Sequence, residues 1–276
     1  MFCYNSAAVI HLKSITVREW GEAENATFPF TLAIVRSLKE MVFSSPVTLF
    51  VGENGSGKST VLEALACTVG SVTVGSESVK TDPSLAAMRK LSRYLRLSWL
   101  KRTHKGFFLR AEDFFGYAKT MRQTREQLQT EMVELEREAR KRSDWAANQT
   151  RTPYARELSG IRGSYGEGLD NRSHGESYMA LFQARFVPGG LYLLDEPEAA
   201  LSPTRQLGFI AALKQMADKE SQFIIATHSP IILAFPGATI LNFDGGKIHQ
   251  VRYDQLEHVT LTRDFLRNPE AFLRHL

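Results

Sequence analysis

Gly52-Glu53-Asn54-Gly55-Ser56-Gly57-Lys58-Ser59-Thr60 constrains this chain more than any other stretch. It satisfies the phosphate-loop pattern G-x-x-x-x-G-K-[ST] without a gap. The β-branched and aromatic run Val47-Thr48-Leu49-Phe50-Val51 precedes it, and the helix-forming run Val61-Leu62-Glu63-Ala64-Leu65-Ala66-Cys67 follows it. Strand, loop and helix in that order are the context the pattern requires. Glycines allow successive backbone N–H groups to turn inward on a phosphate, and the positive helix end adds to the attraction. Lys58 is placed to reach β- and γ-phosphates, and the Ser59 hydroxyl to hold Mg²⁺.

A second apolar strand, Leu191-Tyr192-Leu193-Leu194, ends in Asp195-Glu196. Continuous apolar sequence is expected of a strand buried on both faces, and ligands in open α/β sheets bind beyond carboxyl ends of strands. Asp195 there can hold the metal through water, and Glu196 can polarise an attacking water. An ordinary acidic pair at a strand end is the competing explanation, and the phosphate loop weighs against it. Three further pieces follow the same logic. Ser173-His174-Gly175-Glu176-Ser177 opens a helix running to about Phe186, Glu198-Ala199-Ala200-Leu201-Ser202 follows the carboxylate strand, and Phe223-Ile224-Ile225-Ala226-Thr227-His228-Ser229 is a strand ending at a histidine. Singly, these read as a helix N-cap, a loop and a structural histidine.

Together and in this order, from about residue 45 to 235, the motifs resemble those of the ATP-binding-cassette (ABC) ATPases. Ser173–Ser177 looks like the signature motif of that family, Glu198–Ser202 like its D-loop and His228 like its switch histidine. The resemblance makes Gly52–Thr60, Ser173, Gly175 and Glu176 the nucleotide-binding residues, Glu196 and His228 the catalytic pair, and Ser59 and Asp195 the metal ligands. It implies ATP and Mg²⁺ as cofactors and a homodimer in which two subunits sandwich two ATPs. The loop followed by Leu62-Glu63-Ala64-Leu65 is similar to the RecF, SMC and SbcC ATPases that act on DNA. The stretch Asp195–Pro203 and the ending Leu261-Thr262-Arg263-Asp264-Phe265-Leu266 also look like a family of small standalone bacterial predicted ATPases. One departure stands out. The glutamine that this family carries between phosphate loop and signature is missing after the strand Phe107-Phe108-Leu109, where Arg110-Ala111-Glu112-Asp113 follows. Glu112 is the candidate replacement and a third metal ligand, ahead of Gln123 and Gln127, with a surface acid as the competing explanation.

The expected fold is α/β: a P-loop NTPase with an ABC-ATPase-like core, an N-terminal β layer and an inserted, mostly helical sub-domain. One domain over residues 1–276 is expected, with the helical insertion at 83–172 and a hairpin and short helices at 236–276. Strands are expected at Ala8–Val17 and Phe28–Val35, with a short one at Ser71–Val74. The helix Thr204–Lys219, a hairpin of Thr239–Phe243 with Lys247–Val251, and two short helices from Leu261 to Leu276 complete the layout. The stripe Leu128, Met132, Leu135 and Ala139 fits one packed amphipathic helix; the heptads and returning helix of a coiled-coil arm are lacking. Asp144–Arg172 reads as a loop leading into the signature helix.

Composition excludes several classes. Cys3 and Cys67 form neither a disulfide framework nor a zinc site. Met1–Lys13 lacks the pattern of a signal peptide, and no run approaches a membrane span, so a cytoplasmic protein without membrane insertion is expected. No nuclease metal cluster or Toprim-like acidic motif remains outside the cassette. The net formal charge is only +4, yet Pro83–Ala111 holds eight Lys/Arg and no Asp/Glu. Arg89, Arg93 and Arg96 would share a helix face, with Lys101, Arg102 and Lys105 beyond and Tyr94 and Trp99 interspersed. Such a face suits DNA backbone contact, against the alternative of a solvated or internally paired surface. Three functions stay open: an ATP-driven switch acting with DNA in repair or genome defence, the ATP-binding subunit of a transporter, and a regulatory ATPase controlling a protein effector on another chain.

Overall fold

The computed structural model describes residues 9–74, 77–113 and 174–274, with isolated helical positions between 116 and 137 and only the backbone of residues 174–177. Strands are β1 Leu12–Val17, β2 Glu40–Val42, β3 Val47–Val51, β4 Leu95–Trp99, β5 Phe108–Arg110, β6 Leu191–Asp195, β7 Gln222–Ala226, β8 Thr239–Asn242 and β9 His249–Val251. Helices are α1 Glu22–Asn25, α2 Ala33–Ser37, α3 Lys58–Val69, α4 Ala86–Ser92, α5 His174–Arg185, α6 Pro203–Ala217, α7 Pro230–Leu233, α8 Glu257–Arg267 and α9 Pro269–Leu273.

A six-stranded sheet in the order β5-β6-β7-β3-β8-β9 forms the centre. The pairs from β5 to β8 are parallel, and β9 closes one edge antiparallel to β8. Every residue of β3, β6 and β7 is buried. Their side chains alternate between two cores, as period-two geometry demands. Phe50, Leu193 and Ile224 face a core shared with α3 and the three-stranded antiparallel sheet β2-β1-β4. Leu49, Leu194 and Ile225 face the opposite core, shared with α5 and α6. Gln222, fully buried at the start of β7, fastens the two sheets together. Its amide oxygen accepts from His11 N–H at 2.9 Å and Leu12 N–H at 2.8 Å, while its NH₂ donates to the Leu12 carbonyl at 3.0 Å.

The N-terminal layer departs from expectation. Phe28–Val35 is not a strand; it turns and enters α2. Phe30, Ile34 and Val35 are buried there at helical, not alternating, spacing. The vacant place in the small sheet goes to β4, which pairs antiparallel with β1 from Leu12–Trp99 to Val17–Leu95. Residues 83–110, expected within a helical insertion, thus supply α4, a strand of the small sheet and the β5 edge of the large one. Ser71–Val74 contributes only a parallel bridge, Thr73 to Phe108. Leu128, Met132, Leu135, Ala139, Gln123 and the loop 144–172 lie outside the described residues.

Candidate functional site

One row of residues sets the site. Arg110, Asp195, Ala226, Phe50 and Leu241 lie in register across β5, β6, β7, β3 and β8. The chain leaves each strand just past this row, so Glu196, Thr227-His228, Gly52 and Asp244 emerge along one carboxyl edge.

The phosphate loop is fitted closely. Gly57 has φ +96°, and a Cβ there would lie 2.5 Å from Ile34 Cγ2. At Gly52 (φ +149°) a Cβ would come within 2.9 Å of both Asp244 Oδ1 and Ser56 Oγ. Asp244, in the turn between β8 and β9, accepts a hydrogen bond from Glu53 N–H at 2.8 Å and so braces the loop from a neighbouring strand. Asn54, Gly55 and Ser56 line a cleft of about 290 Å³ with Leu32 and Ile34. Lys58 folds over the loop, donating to the carbonyls of Gly52 at 2.7 Å and Glu53 at 2.9 Å. Burial lowers its pKa, opposed by the carboxylates of Glu196, Asp195, Asp244 and Glu198. Thr60 lies in the first turn of α3 behind Ser59.

Ser59 and Asp195, 136 positions apart in sequence, meet: Ser59 Oγ donates to Asp195 Oδ1 at 3.1 Å. Burial pushes the Asp195 carboxyl up to about 7, against the Ser59 hydrogen bond and with help from Glu63 and Glu196. A hydroxyl and a carboxylate are hard oxygen donors in a pocket with uncompensated acidity, and they fit Mg²⁺. Among the described residues no group of three or more His, Cys, Asp or Glu side chains could hold a metal by itself, as expected where substrate phosphates and water complete the shell.

Glu196 follows directly, held in the left-handed region at φ 49°, ψ 50°. Its N–H donates to Ala226 O at 2.9 Å, and its Oε1 lies 3.8 Å from His228 Nε2. Burial and Lys58 lower the pKa of His228 while Glu196 raises it, so the ring is held toward its neutral form. Glu198, which looks like a D-loop residue in sequence, has a holding role too. Its Oε1 accepts from His228 N–H at 2.6 Å and Ser229 N–H at 3.2 Å, tying the turn after β6 to the end of β7. The Ser229 hydroxyl then caps α7 by accepting from Ile231 and Ile232 N–H groups.

Of the remaining candidates, only Glu112 has a described side chain, and it stands apart from this cluster. Gly175 and Glu176 lie in the first turn of α5, a helix anchored by Tyr178, Leu181 and Phe182 in the core; Ser173 lies outside the described residues. Glu112 has a side chain 74% exposed that reaches Arg110 Nη1 at 3.4 Å. It is not drawn in to Ser59 and Asp195, because Arg110 takes the buried acids around it: Asp82 at 2.8 Å, Asp113 at 2.8 Å and Glu63 at 3.4 Å. Arg110 escaped notice in sequence because a basic residue at a strand end carries no periodic signal.

Residues 24–155 match the family model described as "AAA domain", and residues 178–234 match one described as "AAA domain, putative AbiEii toxin, Type IV TA system". The chain is 27% identical over 228 residues to the macrolide export ATP-binding/permease protein MacB of Salmonella choleraesuis (strain SC-B67), covering 79% of this chain and 31% of that protein. It therefore spans about a third of that relative. It is 26% identical over 193 residues to the L-cystine transport system ATP-binding protein TcyN of Escherichia coli (strain K12), covering 66% of this chain and 69% of TcyN. The similarities are thus to AAA-domain models and to ATP-binding proteins of export and transport systems. Among solved structures, the chain is similar to the Smc head domain from Pyrococcus furiosus, with TM-score 0.46 and 11% identity over 94% of this chain and 100% of that one. MJ1267, an ATP-binding cassette of an ABC transporter in its ADP conformation, gives TM-score 0.47 and 14% identity over 94% and 96%. Among the described residues, no helix is long and apolar enough to cross a membrane.

Proposed function

We propose that two copies of this chain sandwich Mg²⁺-ATP and hydrolyse it, and that the cycle drives a switch acting with DNA in repair or genome defence. One observation carries the chemistry: the Ser59–Asp195 hydrogen bond sets the phosphate loop against the strand whose next residue, Glu196, faces His228. Lys58 is the cation for the β- and γ-phosphates, and the loop N–H groups donate to their oxygens. Ser59 and Asp195 would hold Mg²⁺, which when bound would supply charge neutralisation on the phosphates. Glu196 takes the proton of the attacking water, and the neutral His228 ring orients the same region. The signature Ser173, Gly175 and Glu176 of one subunit would close the site of the other, because a helix N-terminus offers N–H groups to a γ-phosphate.

The DNA role is supported by the similarity of the phosphate-loop region to RecF, SMC and SbcC ATPases. The basic segment adds less than its sequence promised. α4 ends at Ser92, so Arg96 lies on β4 and not on the helix face of Arg89 and Arg93. Arg89 donates to the carbonyls of Val79 and Asp82, and Lys101 pairs with Glu220 at 2.7 Å. Arg93, Arg96, Arg102 and Lys105 remain exposed. The names of MacB and TcyN favour the second reading, an ATP-binding subunit of a transporter.

Glu196→Gln should retain Mg²⁺-ATP binding and lose ~10²–10⁴-fold of turnover, measured by phosphate release, because the amide cannot take the proton. Near-normal turnover would remove Glu196 from the chemistry. Wild-type hydrolysis with and without duplex DNA, at low and high salt, separates the roles. Salt-sensitive stimulation supports the DNA switch. Co-purification with a membrane protein supports the transporter. A tight soluble partner without any DNA effect supports control of a protein effector.

A further inference from the structure

The first turn of α8 brings a second histidine toward the phosphate loop. His258 Nε2 is buried, and no donor or acceptor meets it among the described residues. His228 Nε2 is likewise buried and without a hydrogen-bond partner. Buried polar atoms in native proteins are nearly always paired, so two such nitrogens beside one binding loop call for a partner from outside the chain. α8 is fixed in place there. Tyr253 Oη, just before it, donates to Pro230 O at 3.0 Å, just after the His228 turn. Leu256 and Val259, on either side of the ring in sequence, are buried in the core that also holds residues of α5 and α6. They supply the packing, which leaves the imidazole without a structural task.

The surroundings define what the ring can meet. His258 shares its field with Asp244, the brace of the phosphate loop, and with Lys58. Burial lowers its pKa, Asp244 opposes this and Lys58 adds to it. His228 lies within electrostatic range of His258, and the Tyr253–Pro230 hydrogen bond sets the start of α8 against the turn that carries His228. A neutral imidazole carries one N–H donor, suited to a phosphate oxygen.

We propose that His258 is a nucleotide-binding residue whose Nε2 donates to the terminal phosphate of ATP, alongside His228, and so ties the C-terminal helices to nucleotide occupancy. The proposal rests on the nucleotide site described above. A histidine after β7 and another on α8 would then read the same phosphate from separate elements, and loss of that phosphate would release α8 from the loop.

Calorimetric titration of the full chain with Mg²⁺-ATP and with Mg²⁺-ADP tests this. His258→Ala should weaken ATP about ten- to a hundredfold, the scale of one hydrogen bond to a charged group, and ADP less than about twofold. Its melting temperature without nucleotide should be unchanged or higher, since an unpaired buried atom is removed. His258→Gln keeps an N–H donor and should recover part of the ATP affinity. In ¹⁵N-histidine spectra the His258 side-chain resonances should move with ATP and hardly with ADP. Unchanged ATP affinity in His258→Ala, or equal loss of both nucleotides with a lower melting temperature, would overturn the role. Wild-type protein that binds no ATP would overturn the underlying nucleotide reading instead, before any variant is made.

Discussion

Gly57 shows how little freedom a single position has here. Its left-handed φ of +96° disfavours any L side chain, and its absent Cβ leaves room for Ile34 on α2. Gly57→Ala combines both penalties. It should destabilise the fold by ~1–3 kcal/mol in denaturant titration, and a smaller residue at Ile34 should recover part of that. Glu63 makes a different point. Burial raises its carboxyl to about 7, against Arg110 at 3.4 Å, which lowers it. An acid whose folded pKa exceeds its unfolded value holds extra protons in the native state between the two. Its stability contribution is therefore present at low pH and is lost as pH rises from about 4.5 toward 7. Glu63→Gln should flatten that part of the pH–stability curve and raise stability above neutrality by about 1–2 kcal/mol, read from chemical denaturation at pH 5 and pH 8.

At the scale of elements, Arg110 joins pieces that the chain keeps far apart. Its guanidinium binds Glu63 of α3, Asp82 before α4 and Asp113 after β5, and is itself only 7% exposed. The phosphate-loop helix, the loop before α4 and the segment that follows β5 thus share one cation. Arg110→Met would leave buried carboxylates unpaired, and removing one partner of a buried pair typically costs ~3–5 kcal/mol. A melting temperature within a few degrees of wild type would mean that the acids regain water or protons on their own. β5 would be the element affected first, because it holds the edge of the sheet with only three residues.

At the scale of the whole molecule, the proposed dimer splits the site between the phosphate loop of one copy and the signature of another. Lys58→Ala should lose the γ-phosphate contact in its own subunit. Ser173→Arg should place bulk and charge where a partner's γ-phosphate meets the helix end. Each protein alone should be nearly inactive. In a mixed dimer the Lys58→Ala subunit brings an intact signature and the Ser173→Arg subunit an intact loop, so one site is rebuilt. Mixing with subunit exchange should restore up to about a quarter of wild-type hydrolysis, if half the dimers are mixed and the sites act independently. A mixture as inactive as its parts, despite demonstrated exchange, would speak against the signature assignment, the independence of the sites or the homodimer.

Local pattern by itself determined the phosphate loop, the carboxylate strand and the histidine strand, because each is a short motif on a strand buried on both faces. Residues 47–60, 191–196 and 222–228 need no distant information to declare strand, turn and helix. Only the tertiary structure decided which strand lies beside which. β7 stands between β3 and β6, so His228 emerges between the loop and Glu196, a neighbourhood set by a β6 pairing 31 residues away and a β3 pairing 176 residues away. It also decided that β4, not Phe28–Val35, joins β1, since a run holding Pro29 with apolar residues four apart buries more as a turn and helix. Asp244 bracing Glu53, Arg110 collecting buried acids, and Glu112 turned outward were beyond sequence for the same reason. A charged residue acquires its role from the burial and the partners that folding gives it, and neither is written in its neighbours along the chain.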